Sequence, residues 1–345
     1  MNKTIPSNNR IVSLDIIRGF ALLGILFINI PAFTIVTEGN YSAPQYSTLD
    51  MAVNTLISIF VTKKFFSIFS FLFGIGFYIF ASRVEARGDN PRRRFSRRLF
   101  SLFLIGIIHA FIFWGTILPF YALIGFLLLP FYNASISTIG KWVSGISLIY
   151  LLSIVIELLI PEQQQIVAIA KTLTSDSTLI FIMFLAGFGV AKADWIRNIS
   201  GMKKQIQKAQ LVTLPFFIGG GIWIWVASYS NHKQLPLIIA LSSIPAVIFY
   251  LCTMFSLLES KRIATALTPV GYVGRMALTN YVAQSFIGLA IMSFMNIEMA
   301  SPTQTVWIAF LIFGIQILYT FIWFKFFKMG PLEKVWRYMT YGKKK

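Results

Sequence analysis

Apolar residues in this chain fall in continuous stretches of about 20 residues, without the strict alternation of barrel strands or the one-sided periodicity of soluble surface helices. Coiled at about 1.5 Å per residue, such a run spans the roughly 30 Å hydrocarbon core of a bilayer. The pattern predicts helices near 14–35, 54–82, 97–114, 116–132, 141–160, 177–192, 209–229, 235–257, 276–295 and 304–327. The expected fold class is an all-α, polytopic integral membrane bundle of about ten transmembrane helices, one membrane domain over 1–345. Segment 54–82 is too long for one upright crossing and contains Lys63 and Lys64, so it divides into a short amphipathic helix and a span from Phe65. Pro215 and Pro245 are the expected kinks, no connection is long enough for a soluble fold, and no repeat of clear period stands out.

The first run is not uniformly apolar. Asp15, Arg18 and Asn29 interrupt it, and at about 100° per residue Arg18 and Asn29 fall roughly 20° apart around the helix, Asp15 and Asn29 roughly 40°. Polar groups inside a span are costly, so this stripe must face protein or water and lines either a site or a polar packing seam.

Composition agrees with the pattern. Of the 345 residues 57% are hydrophobic and only 12% charged, too apolar a balance for a solvated surface around a soluble core. The net charge of +18 does not imply nucleic acid, because the basic residues are divided among short connections and no soluble domain presents them. They alternate by side instead. Lys3, Arg10 and Arg18, the set from Arg83 to Arg98, Lys141, the set from Lys192 to Lys208, then Lys261, Arg262 and Arg275, and the set from Lys325 to Lys345 form one side, while the opposite connections hold only Lys171 and Lys233. This places both termini in the cytoplasm and explains most of the charge by topology and anionic membrane lipid. The N-terminal run resembles a signal peptide but is long and interrupted by charge, which reads as an uncleaved first span. The single cysteine, Cys252, excludes an intrachain disulfide.

Few residues could carry chemistry. His109 lies eleven residues beyond Arg98, about 16 Å along one helix and on nearly the same face, in the outer half of the membrane. Imidazole can move a proton near neutral pH, so His109 is a candidate general base for a hydroxyl; the alternative is a neutral histidine bonded to a neighbouring helix. Glu157 is the other ionisable group in an outer half and either supports His109 or marks the interface before Pro161. Asn280, Gln284 and Gln316 read as interhelical hydrogen bonds. The cluster Arg92, Arg93, Arg94, Arg97 and Arg98 could hold phosphates, although topology explains it equally well. Gly74 and Gly76, among phenylalanines from Phe65 to Phe77, read as close helix packing rather than a pore. There is no Cys/His metal spacing, phosphate loop or nucleophile elbow, and the other histidine, His232, lies in an outer loop.

Five stretches together carry a family likeness. The first span, Lys64-Phe65-Phe66-Ser67-Ile68-Phe69-Ser70-Phe71-Leu72-Phe73-Gly74-Ile75-Gly76, Gly106-Ile107-Ile108-His109-Ala110, Gly274-Arg275-Met276-Ala277-Leu278-Thr279-Asn280-Tyr281 and Gly330-Pro331-Leu332-Glu333-Lys334-Val335-Trp336-Arg337-Tyr338-Met339-Thr340-Tyr341-Gly342 resemble, in order and spacing, the bacterial YeiB family. That resemblance implies an N-terminal part over 10–160 and a C-terminal family region, a domain of unknown function, over about 177–345. It also implies a multi-pass protein of the bacterial cytoplasmic membrane. The first span is further similar to membrane acyltransferases, the O-antigen acetylases and the lysosomal heparan glucosaminide N-acetyltransferase among them. Asn29 falls where the O-acetylases carry histidine, and the heparan enzyme's branch usually carries asparagine.

The likeness implies acyl-CoA as co-substrate, no bound cofactor, and a hydroxyl- or amine-bearing acceptor near the membrane or beyond it. Asp15, Arg18, Arg94, Arg97 and Arg98 would then lie near the donor phosphates, with His109 near the acceptor and Asn29, Thr116 and Glu157 as its partners. One departure matters: the family usually follows its histidine helix with Gly-Asp-Ile-Leu, and this chain has Gly115-Thr116-Ile117-Leu118. Threonine cannot supply the anion that stabilises an imidazolium, so chemistry through that acid would be reduced or rewired through Glu157. A small-solute transporter and a noncatalytic scaffold are the competing expectations.

Overall fold

The apolar runs form helices throughout a computed structural model that describes residues 11–33, 46–161 and 164–342. Lys3, Arg10 and the lysines at 343–345, expected on the basic side, lie outside the described residues. In chain order the helices are α1 (Val12–Asn29), α2 (Thr48–Phe60), α3 (Lys64–Glu85), α4 (Pro91–Ala110), α5 (Leu118–Phe126), α6 (Ile136–Leu159), α7 (Gln165–Leu173), α8 (Asp176–Lys192), α9 (Lys203–Tyr229), α10 (Leu235–Leu258), α11 (Lys261–Ala266), α12 (Thr268–Arg275), α13 (Ala277–Phe294), α14 (Pro302–Phe326) and α15 (Pro331–Tyr341). Among the described residues seven helical stretches are long and apolar enough to cross a membrane, eight if α7 and α8, bent by 43° at their break, count as one. The expected spans at 97–114 and 116–132 are absent from that set: the first turns of α4 are rich in arginine, and α5 ends after nine residues. Pro215 and Pro245 lie inside α9 and α10.

The division of 54–82 is present. Lys63 adopts a left-handed backbone (φ 65°) between α2 and α3. The ammonium of fully buried Lys64 donates to the Ser58 carbonyl at 2.7 Å, supplying a donor at the end of α2 where helical amides run out.

Helices α3 and α8 approach unusually closely through glycine. A Cβ on Gly74 would stand 1.9 Å from the Phe184 carbonyl oxygen, and one on Gly187 would stand 1.9 Å from that of Phe71. The contact is reciprocal, as in a two-fold interface. It joins Phe71-Leu72-Phe73-Gly74-Ile75-Gly76 to Phe184-Leu185-Ala186-Gly187-Phe188-Gly189 in matching register, and Lys63 and Asp176, at matching positions upstream of these motifs, form an ion pair.

The likeness extends outward. A long helix, a short one, two further helices and a fifth that opens on Leu-Pro (Leu118-Pro119, Leu235-Pro236) occur once as α1–α5 and again as α6–α10. The described helices therefore repeat one order about this contact, although no repeat of clear period stands out in the sequence. Fewer than ten residues of similar sequence mark each copy, and their equivalence becomes plain only when they meet.

The remaining helices dress the first copy. α12 packs along α1, where a Cβ on Gly274 would collide with the Asp15 carbonyl; α14 lies on α1 and α2, and α15 on α4. The largest buried apolar cluster fills the space between these groups, from Ile16 and Phe77 through Phe95 and Tyr121 to Val273 and Phe313.

Candidate functional site

A chain of three cavities enters the seam between the first repeat and the C-terminal helices. The inner one, about 230 Å³, is bounded by Ile25, Phe69, Phe73, Leu118, Tyr121 and Tyr281, with Arg18 and Arg98 on its wall. Gly76, Arg98, Glu333 and Trp336 also line a second cavity of about 360 Å³, bounded further by Arg83, Arg87 and Arg337. Arg87, Arg337, Met329 and Tyr341 then connect this one to a third of about 450 Å³ at the arginine-rich end.

Four wall residues, Arg18, Arg98, Trp336 and Glu333, are held by local contacts. Arg18 donates to Asp15 at 2.9 Å, so the first-span pair is an ion pair whose guanidinium also faces the inner cavity. Arg98 lies over the Trp336 ring at 3.7 Å and the Phe80 ring at 4.8 Å, while the Trp336 indole donates to the Arg98 carbonyl at 2.8 Å. Stacking on aromatic faces suits the weakly hydrated guanidinium. Glu333 accepts the backbone N–H groups of Leu278 at 2.8 Å and Thr279 at 3.2 Å and the Thr279 hydroxyl at 2.6 Å. It caps the first turn of α13 from a distant helix, where negative charge is favoured.

Arg94 and Arg97 have other work. Arg94 donates to the carbonyls of Thr340 and Tyr341 and to Asp89, and Arg97 donates to that of Met339 at 3.2 Å. They satisfy the last carbonyls of α15, the role expected of cations at a helix C-terminus. The Arg94 guanidinium holds the Asp89 carboxyl below the usual carboxylate range, with the Asn90 backbone assisting. Neither arginine lines the three cavities.

Beyond the inner cavity lies His109, 1% exposed. Its Nδ1 is 2.9 Å from the Thr116 hydroxyl and its Nε2 is 3.0 Å from the Ser285 hydroxyl. With Nδ1–H donating to Thr116, Nε2 is free to accept from Ser285, and neither partner is a carboxylate. The Tyr281 ring stands 5.6 Å from the imidazole, between it and the cavity, and its hydroxyl accepts the Ile117 amide at 3.1 Å. Asn29 and Thr116 also approach that hydroxyl, so the end of α1 meets the histidine helix at one level.

Thr116 thus joins His109 directly, and Asn29 reaches the same place through Tyr281. Glu157 does not join them: it accepts from Thr174 at 2.5 Å, and the carbonyl of the same residue accepts from Gln234. It closes the connection between α6 and α7. Nothing local in the sequence separates Ser285 from other small residues in spans, and its 176-residue separation from His109 is bridged only by folding. The amides behave as helix-joining groups, Gln284 donating to Gln316 at 3.1 Å and Gln316 to the Asn280 carbonyl at 2.9 Å.

Three relatives of the chain carry no assigned activity in their names. Residues 190–343 match the domain described as a protein of unknown function, DUF418. An uncharacterized 39.9 kDa protein in the amylase 3′ region of Bacillus acidopullulyticus is 31% identical over 359 residues, covering 99% of this chain and 96% of that one. YxaH of Bacillus subtilis strain 168 is 29% identical, covering 97% and 95% of the two chains. YeiB of Escherichia coli strain K12 is 26% identical, covering 96% of each. No solved structure matches. With the domain match and likeness over nearly the full length, the chain belongs to the YeiB family of DUF418 proteins.

Proposed function

We propose that the protein is an acyltransferase-like enzyme of the bacterial cytoplasmic membrane that takes an acyl group from cytoplasmic acyl-CoA and passes it to a hydroxyl- or amine-bearing acceptor. The observation that supports this most is the cavity chain, which runs from a basic, aromatic end to Tyr281, one side chain short of His109. An anionic head and an apolar tail match those two ends. In the reaction, the acceptor's oxygen or nitrogen attacks the thioester carbonyl, the C–S bond breaks, and the thiol leaves. Neutral His109 takes the acceptor's proton at Nε2, the acceptor displacing Ser285 there, and passes it to the sulfur, while Thr116 holds Nδ1. Access requires Tyr281 to turn aside. The membrane arrangement belongs to the same reading: α4 and α5 with the turn that follows it complete ten crossings, both termini are cytoplasmic, and the cavity chain opens where the basic connections gather.

The test is purified protein with radiolabelled acetyl-CoA. Binding and slow hydrolysis or transfer are expected, and His109→Ala should reduce turnover by about 10²-fold or more. Unchanged turnover in that variant removes His109 from the mechanism, and absence of any CoA binding counts against the class.

The repeat favours a second reading, a small-solute permease. Four crossings in each copy would give parallel repeats related by an axis along the membrane normal, as in one class of transporters. Uptake into proteoliposomes without acylated product would select it.

A further inference from the structure

The basic residues at the open end of the cavity chain divide sharply by what they touch. Arg94 and Arg97 are engaged by the carbonyls of α15, and Arg275 donates to the Lys328 carbonyl. Arg83 and Arg87, one turn apart at the end of α3, line the second cavity together with Arg337; Arg87 and Arg337, joined by Lys334, line the third. Among the described residues none of Arg83, Arg87, Lys334 and Arg337 has an ion-pair partner. The one acid on these walls, Glu333, directs both carboxylate oxygens to the start of α13. Tyr341 and Trp336 supply aromatic surface.

A topological preference for cations explains how many basic residues lie at this end. It does not explain why four of them, from the end of α3 and from α15, line two joined cavities with no ion-pair partner among the described residues. Like charges so gathered repel one another, and an anion that several can share relieves the repulsion. Guanidinium forks on one wall and a guanidinium with an ammonium on the other match adjacent phosphate groups better than a single carboxylate.

We infer that this end of the molecule is a binding site for a ligand carrying two linked phosphates, held between Arg83 and Arg87 on one side and Lys334 and Arg337 on the other. The inference deepens the reading above, which supplies only what is attached to the phosphates. It moves the phosphate contacts from Arg94 and Arg97 to residues farther along α3 and on α15. An apolar tail would pass Arg98 and Trp336 into the inner cavity.

The phosphates could belong to a soluble nucleotide or to a membrane lipid, and two arms separate these sources. The full chain in phosphatidylcholine nanodiscs is titrated with ADP and with pyrophosphate by calorimetry. In parallel, native mass spectrometry measures cardiolipin retained from mixed nanodiscs. The double variant Arg87→Gln/Arg337→Gln is compared with Lys203→Gln/Lys208→Gln, which removes the same charge from exposed positions on α9. Unliganded melting midpoints confirm that both are folded, and Arg87→Lys/Arg337→Lys should recover part of any loss. The expected result is a loss of about tenfold or more in the first variant and less than about twofold in the second. Loss in the calorimetric arm supports a soluble diphosphate, and loss in the lipid arm a lipid whose two phosphodiesters are joined through glycerol. Equal loss in both variants, or no binding of any probe, overturns the site. Diphosphate binding without acyl-CoA turnover would leave the site standing and remove the transferase; turnover with an unchanged KM in the first variant would do the reverse.

Discussion

Helices α1–α5 and α6–α10 repeat one order, yet the buried histidine and its hydroxyl partners lie beside the first set. Ser70 and Tyr121 share a 2.6 Å hydrogen bond in the first copy, and the same positions along α8 and α10 hold Met183 and Ile238. Surroundings account for the difference. In the most apolar window of α1 61% of residues are buried, against 22% in α6, because α12, α14 and α15 cover the first copy. A polar group facing lipid is costly, whereas one covered by protein can find partners and be kept. The C-terminal helices thus give the first of two similar helix sets the cover that buried polar groups need.

The strongest way to break this comparison is at the axis where the copies meet. Leucine at Gly74 or at Gly187 would drive side-chain atoms into a facing carbonyl, so each should cost about 3 kcal/mol or more. Because the contact is reciprocal, the two losses in thermal midpoint should match; a tolerated Gly187→Leu beside a ruinous Gly74→Leu would end the claim of equivalence.

A smaller effect sharpens the contrast between the fourth helices. His109→Ala leaves the hydroxyls of Thr116 and Ser285 without their partner and should cost about 2 kcal/mol. Gly221→Ala, with only Ile59 at 3.4 Å from the new methyl, should be neutral or stabilising by up to about 1 kcal/mol. Chemical denaturation of both variants in the same detergent reads the difference directly. Tyr121→Phe comes next, at about 1 kcal/mol, since Ser70 retains its bond to the Phe66 carbonyl. Ile238→Leu, at the matching position, should change less, and a larger loss there would mean that the second copy depends on this position as much as the first.

The smallest effect concerns pH at the end of α15, which has no counterpart in the second copy. Arg94 lowers the Asp89 carboxyl in the folded protein, with the Asn90 backbone contributing. The pair's contribution is therefore complete above the unfolded value of about 4 and is lost as pH falls through the lower folded value. Asp89→Asn should lower the melting midpoint slightly at about pH 6, and the gap from the parent protein should close on further acidification. A gap that widens in acid would reverse the sign assigned to this pair.

Much of the helical frame was legible because hydropathy is a local property. The run expected at 235–257 is α10, Leu235–Leu258, and the break before Phe65 was signalled by two adjacent lysines inside an overlong apolar stretch. The amides on α13 and α14 also declared themselves, since few alternatives exist for such groups in a span. Short helices did not: α7, α11 and α12 lack a full span of apolar residues and are fixed by the helices they pack on. The sequence leaves Glu157 open between a partner of His109 and a marker of the outer interface, because depth along a helix says nothing about which neighbour a side chain faces. The repeat escaped notice because a Phe-Leu-x-Gly-x-Gly motif is common packing material until two copies are seen in contact.

By itself the sequence determined that the chain is a bundle of long apolar helices and confined its chemistry to a handful of polar residues within them. Tertiary structure decided their use. It joined His109 to Ser285 and to the level of Asn29, gave Arg94 and Arg97 to the end of α15, and left Arg83, Arg87, Lys334 and Arg337 around an opening. The physical reason is that apolar burial is set residue by residue along the chain, whereas a hydrogen bond or an ion pair exists only where two particular groups meet.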